Sequence, residues 1–259
     1  MCATEVDIKS NFENYFRALL REEIILRNLI FEIFVYGTAY VVGGFFRDFL
    51  NNQKSRDVDI IVDIKNKNIR LLDVIKALNY PFETNRHGGV KLKLNRITVD
   101  LWSLENNWAF KEQLVKLNEE DKLNSIAKGC FFNYDSLVIN LHDFSYNLRY
   151  YSEFKNKKIL DILQTSPPYK NLNPTTEANI IRAIFIKYKF NIEFTENTLI
   201  YLFKKLMSIR NSYQDEFQRI LDVKQKYPKY NDLSENILRQ EIYLLSTSTT
   251  IDKQMFLPM

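Results

Sequence analysis

The chain has 259 residues, 46% of them hydrophobic, which argues against disorder and leaves enough apolar surface for one large or two smaller cores. No run of about eighteen apolar residues occurs, and the first twenty residues carry charges instead of an apolar stretch, so neither a membrane span nor a signal peptide is expected. Two cysteines exclude a disulfide framework and set the expectation of a reduced, cytoplasmic setting, while a net charge of +4 permits a nucleic-acid partner without demanding one.

In chain order, Ser10-Asn11-Phe12-Glu13 has the pattern of a capping box and predicts a helix start at Ser10. Phe16, Leu19, Leu20, Ile24, Leu26 and Ile30 continue it as one apolar stripe. Residues 39–42 form a short apolar run ended by Gly43-Gly44, the signature of a strand entering a tight turn, and residues 45–50 suit a helix. The β-branched run at 58–62 predicts a strand, and 68–78 an amphipathic helix. Two alternating runs, 90–94 and 97–102, flank Asn95-Arg96 as a hairpin, and a further strand falls within 131–141. This order predicts a mixed sheet with helices packed on it. Near residue 150 the texture changes. Ser166-Pro167-Pro168 and Asn173-Pro174 punctuate a loop, Pro174 opens a helix to about Lys189, and further helices are expected at 196–209 and 212–227. The expectation is therefore an α+β domain over 1–150 followed by a smaller all-helical domain over 151–259.

Chemistry concentrates in the first part. In a strand, alternate side chains share a face, so Asp57 and Asp59 point one way while Val58, Ile60 and Val62 point the other. Two such carboxylates suit Mg²⁺, which takes oxygen ligands from one or two acids and from substrate phosphates. Gly43 and Gly44, without Cβ atoms, let backbone N–H groups approach a phosphate chain, and Arg47 in the following helix is placed to offer a forked donor. Asp100 interrupts the second hairpin strand, where an acid needs a metal or a partner. A metal triad of Asp57, Asp59 and Asp100 is one reading, and an ion pair from Asp100 to Lys91 or Lys93 is the other. His87 and His142 stand far from the cysteines, which argues against zinc. Trp102 and Trp108 suit base stacking or a core. Lys155, Lys157, Lys158 and Lys170 suit RNA phosphates or a solvated face.

The stretch from Val41 through Gly43-Gly44-Phe45-Phe46-Arg47-Asp48 to Asp57-Val58-Asp59 resembles the head-domain motif of bacterial tRNA nucleotidyltransferases (CCA-adding enzymes) and poly(A) polymerases, of the DNA polymerase beta-like superfamily. The segment from Gly88-Gly89 to Asp100 resembles the hairpin that ends in that family's third acid. The resemblance implies a polymerase beta-like nucleotidyltransferase head with a helical neck or body part after it. It implies that Asp57, Asp59 and Asp100 hold two Mg²⁺ ions, with Mn²⁺ an alternative. It further implies that Gly43, Gly44, Arg47 and Asp48 bind an incoming NTP, whose nucleoside monophosphate passes to a hydroxyl acceptor, expected to be the 3′ end of tRNA or another RNA.

Two departures qualify what the resemblance implies. The family's Arg-Arg-Asp triplet is replaced by Gly129-Cys130-Phe131, and of its acid–arginine base template only Arg182 matches, with Thr175, Thr176 and Asn179 at the other reading positions or Glu177 in a shifted register. Non-standard base selection is the expectation. Rival readings are nucleotidylation of a protein or small molecule, a tRNA-modifying role in a toxin–antitoxin or defence system, and a degenerate head that only binds RNA or nucleotide.

Overall fold

Strand burial in this protein follows the alternation of its sequence, as a computed structural model covering residues 5–66, 68–85, 88–164 and 175–247 makes plain. Two units are distinguished, Met1–Ser152 and Glu153–Met259. The first contains α1 (Glu5–Glu22), α2 (Ile24–Tyr36), β1 (Gly37–Val42), α3 (Gly44–Leu50), β2 (Asp57–Ile64), α4 (Leu71–Ala77), β3 (Glu83–Thr84), β4 (Val90–Lys93), β5 (Thr98–Ser103), α5 (Trp108–Lys111), α6 (Lys122–Lys128), β6 (Val138–Asn140) and β7 (Tyr146–Asn147). The division falls within α7 (Arg149–Lys157).

The seven strands form one mixed sheet in the order β3-β4-β5-β2-β1-β6-β7. The β2–β5 pairing is parallel and the others are antiparallel. One face carries Ala39, Val41, Val58, Ile60, Leu92, Val99, Leu101 and Ile139, all fully buried. Each Val, Leu or Ile among them contributes about 1.5–3 kcal/mol on burial, so this face anchors the unit. On the other face Tyr40, Val42, Ile61 and Val138 pack with Ile126 and Ala127 of α6. Phe12 of α1 lies edge-on to Phe46 of α3 with ring centroids 5.0 Å apart and touches Phe45 and Phe49 as well, so α1 braces the helix that follows the glycine pair.

Two sequence expectations are corrected here. Ser10 is inside α1 and caps nothing, because the helix continues upstream through residues without Gly or Pro. The single stripe expected across residues 16–30 is two helices broken at Glu23. That carboxylate, 2% exposed, accepts the backbone N–H of Arg96 at 2.8 Å, so a bond to the hairpin turn overrides helical continuity.

The second unit contains β8 (Ile159–Leu160), α8 (Thr176–Phe190), β9 (Glu193–Phe194), α9 (Glu196–Ser212), α10 (Glu216–Lys224) and α11 (Glu235–Thr247). Among its described residues it is helical apart from the two-residue parallel pair β8–β9, which is too short for sequence periodicity to reveal. Thr175 caps α8, accepting from the Ala178 N–H at 3.2 Å, whereas the expected opening at Asn173-Pro174 and the residues Ser166, Pro167, Pro168 and Lys170 lie outside the described residues, as does His87. Asp215 caps α10, which is shorter than the 212–227 expected. Among the described residues no helix is long and apolar enough to cross a membrane.

Candidate active site

Strand register assembles the site. Val42 pairs with Asp59 across β1–β2 and with Val138 across β1–β6. The chain that leaves β1 at Gly43 therefore emerges beside Asp57 and Asp59 on one side and beside Leu137 on the other. The Gly43 N–H donates to the Leu137 carbonyl at 2.8 Å. Gly43 has φ +68° and ψ −120°, a conformation that side chains resist, so glycine is required there for the backbone to turn into α3.

The parallel pairing of β2 with β5 sets Asp59 against Asp100 and Asp57 against Thr98. Paired residues share a face, so Asp57, Asp59 and Asp100 stand on the same face at the same end of the sheet. That face is apolar at Ile61 and acidic at Asp59. Asp100 also pairs with Lys91 across β4–β5, and its Oδ2 lies 3.2 Å from Lys91 Nζ. Lys93 is engaged elsewhere, 2.6 Å from Glu83. Burial pushes the Asp100 carboxyl above its ordinary pKa and the charge of Asp57 adds to this, against the opposing pull of Lys91. Among the described residues no group of three or more His, Cys, Asp or Glu side chains is gathered closely enough to hold a metal ion. The acids thus share a face and an end, with Lys91 at the oxygen of one of them.

Arg47 is held by its own chain. Its Nη1 lies 3.2 Å from Asp135 Oδ1, its Nη2 3.7 Å from Asp48, and its guanidinium stacks 4.2 Å from the centroid of the Tyr134 ring. The forked donor anticipated for phosphate is in this structure the pin between α3 and the turn at 133–135. Sequence reasoning missed Tyr134, Asp135 and Leu137 as parts of the site. The signal for Asp135 was the lone charge of the segment 131–141, readable only once the turn is placed beside Gly43. Trp102 lies against Gly89, where an added Cβ would come within 2.7 Å of the indole. The Trp108 ring contacts Phe131 at 6.1 Å, and its buried Nε1 has no acceptor among the described residues.

The residues weighed for base reading stand on α8 of the second unit. Arg182 is half-buried between buried Ile181 and Ala183. Asn179 is buried, and its Nδ2 lacks an acceptor among the described residues. Glu177 is taken up by Arg219, whose Nε donates to its Oε1 at 2.7 Å. Burial would raise the Glu177 carboxyl, yet its own backbone N–H, Arg219 and Thr175 hold it below the ordinary value.

Comparison with known proteins supplies the context for this geometry. No curated protein matches the chain by sequence. Among solved structures, the Thermotoga maritima CCA-adding enzyme complexed with tRNA superposes with a TM-score of 0.58 at 17% identity, covering 90% of this chain and 52% of that one. A CCA-adding enzyme in complex with CTP gives a TM-score of 0.56 at 18% identity, covering 86% of this chain and 50% of the other. An apo form of a CCA-adding enzyme gives 0.56 at 19% identity, with 88% and 53% covered. At these identities the likeness is one of fold, and the chain spans about half the length of the structures it resembles. Residues 39–166 match the family model described as the Poly A polymerase head domain, a stretch that begins in β1 and takes in Gly43, Arg47, Asp57, Asp59 and Asp100. Residues 39–166 are thus similar to the Poly A polymerase head domain, within a fold that the chain shares with CCA-adding enzymes.

Proposed function

We propose that this protein is a metal-dependent nucleotidyltransferase that moves a nucleoside monophosphate from an NTP to the 3′ hydroxyl of an RNA, tRNA foremost, with non-standard base selection. The observation that carries the reading is the registered end of the sheet, where Asp57 and Asp59 share a face with Asp100 beside the Gly43-Gly44 turn. The domain assignment proposed with it is a nucleotidyltransferase head over 1–150 and a helical neck or body part over 151–259.

The donor set is chemically suited to a divalent cation. It offers only carboxylate oxygens, and the mutual repulsion of Asp57 and Asp100 favours a cation between acids of like charge. Mg²⁺ or Mn²⁺ held by Asp57, Asp59 and Asp100 would polarise the transferring phosphate and stabilise the attacking and leaving oxygens. Lys91 neutralises Asp100 when no cation does. The Gly43-Gly44 turn would offer backbone N–H groups to the triphosphate. Arg47 and Asp48 would contribute to nucleotide binding from a guanidinium that Asp135 and Tyr134 keep in place.

Base selection is the less conventional part. The acid nearest the reading positions, Glu177, is already paired with Arg219. The other reading positions carry Thr175, Thr176 and Asn179, which are neutral donors and acceptors, and the cation Arg182. A site without a rigid acid–arginine template leaves fewer polar groups unpaired by a wrong base and discriminates less. The CCA-adding enzymes of similar fold are seen in complex with CTP and with tRNA, which supports the substrate classes proposed here. The test is to incubate the protein with each labelled NTP, Mg²⁺ and total RNA, then separate RNA from protein. Label on the RNA 3′ end is the expected result. Label on protein alone would move the proposal to a protein acceptor, and label on neither would overturn it.

A further inference from the structure

The apolar residues of α2 are not confined to its inner side, which is unusual for a helix with one side in solvent. Its inner side is accounted for by Leu26, Leu29, Ile30 and Ile33, all buried. Its outer side carries Ile24, Phe31 and Val35 at 55%, 57% and 70% exposure, with exposed Asn28 between them. The spacing 24, 28, 31, 35 alternates four and three residues, the spacing of a two-helix seam. Arg27 and Glu32 lie about 70° to either side of that seam. Neither forms an ion pair among the described residues.

We propose that this outer face is a self-association surface, on which α2 of two copies pairs in parallel about a twofold axis along the seam. The charge pattern selects this occupant and orientation. In a parallel pair, the residue flanking the seam on one helix meets the residue five positions later on the other. Arg27 and Glu32 have this separation, lie on opposite flanks and bear opposite charge. The twofold axis then makes two Arg27–Glu32 pairs from one sequence. An antiparallel pair would set each flank against its own kind and lose this match. Asn28 fixes the register, since a lone polar residue in such a seam is satisfied only opposite its copy. The helix is already folded on its own sheet, so pairing adds no helix-ordering cost. Its 13 residues span about 20 Å, which makes a small interface and a weak dimer.

The test is sedimentation velocity of the whole chain between roughly 5 and 500 µM, a range that spans weak association. The wild type is expected to shift from monomer toward dimer across it. Phe31→Glu, and independently Val35→Glu, should stay monomeric with unchanged circular dichroism and melting temperature, because both side chains are solvent-exposed. Arg27→Glu alone and Glu32→Arg alone should each weaken association about tenfold, as two attractive pairs become repulsive. An equimolar mixture of these two variants should recover it, because each then meets its opposite charge. A wild type that remains monomeric throughout would leave the face to a different partner and overturn the proposal. So would dimers that survive Phe31→Glu, or single charge reversals that associate like the wild type. Nucleotidyl transfer plays no part in any of these readouts.

Discussion

Removing Asp135 tests whether the arginine of the glycine motif is pinned or free. In Asp135→Ala, Arg47 loses its 3.2 Å carboxylate partner while its side chain, 16% exposed, stays in place over Tyr134. A charge-assisted hydrogen bond contributes about 1.5–3 kcal/mol, and orphaning a fully buried charge costs about 3–5 kcal/mol. Here Asp48 at 3.7 Å and the Tyr134 ring retain part of the stabilisation, so a loss of about 2 kcal/mol is expected. Asp135→Asn keeps an acceptor and should lose about 1 kcal/mol. For a unit of this size, 2 kcal/mol lowers the melting temperature by roughly 4–8 °C. The assay is urea unfolding followed by tryptophan fluorescence, which reports this unit because both tryptophans of the chain, Trp102 and Trp108, belong to it. Losses below about 0.5 kcal/mol in both variants, or strict additivity of Asp135→Ala with Arg47→Met, would refute the pin.

Asp57→Ala should abolish transfer, with a loss of at least about 100-fold, while leaving circular dichroism unchanged, because it removes stabilisation of transition-state charge and no packing; turnover near the wild-type rate would reject the assignment. Asp100→Asn should raise stability at neutral pH in the absence of metal. The folded pKa of Asp100 is raised, so the folded state holds its proton longer than the unfolded chain, and stability falls as pH rises from about 4 through the folded value. The gain should therefore vanish below about pH 4 in thermal melts, and a gain that persists in acid would contradict this origin. Glu177→Gln has the opposite sign. Its folded pKa is lowered, so its contribution is present above the ordinary carboxylate range and is lost as pH falls through the folded value; the variant should be weaker by about 1–3 kcal/mol at neutral pH and approach the wild type in acid. tRNA transcripts ending before C-C-A should acquire no ordered C, C, A when mixed NTPs are supplied and the 3′ ends are sequenced; efficient ordered addition would show that base selection survives.

The parts legible in the sequence were those written in short periods. The β-branched run at 58–62 and the alternation at 97–102 gave β2 and β5 to within a residue or two, and with them the shared face of Asp57 and Asp59. The hairpin at Asn95-Arg96 and the turn at Gly43 were punctuated by composition. Contacts between distant segments could not be read. Nothing near Glu23 announces that a hairpin turn 73 residues away will break the helix there. Nothing near Arg47 points to Asp135, 88 residues on. The parallel pairing that sets Asp59 against Asp100 is likewise a matter of register between distant strands, which local periodicity leaves open. The choice between a metal and a lysine at Asp100 was left open for the same reason, and Lys91 is the neighbour that the structure supplies.

The central claim, that the acids at one end of the sheet carry metal-dependent transfer, is tested most directly by comparing wild type with Asp59→Asn. Both would be given an α-labelled NTP and tRNA, with and without Mg²⁺. The account predicts labelled RNA 3′ ends and released pyrophosphate from the wild type only with the metal, and neither product from the variant. Transfer by Asp59→Asn at the wild-type rate, or wild-type transfer undiminished by removal of the metal, would contradict it.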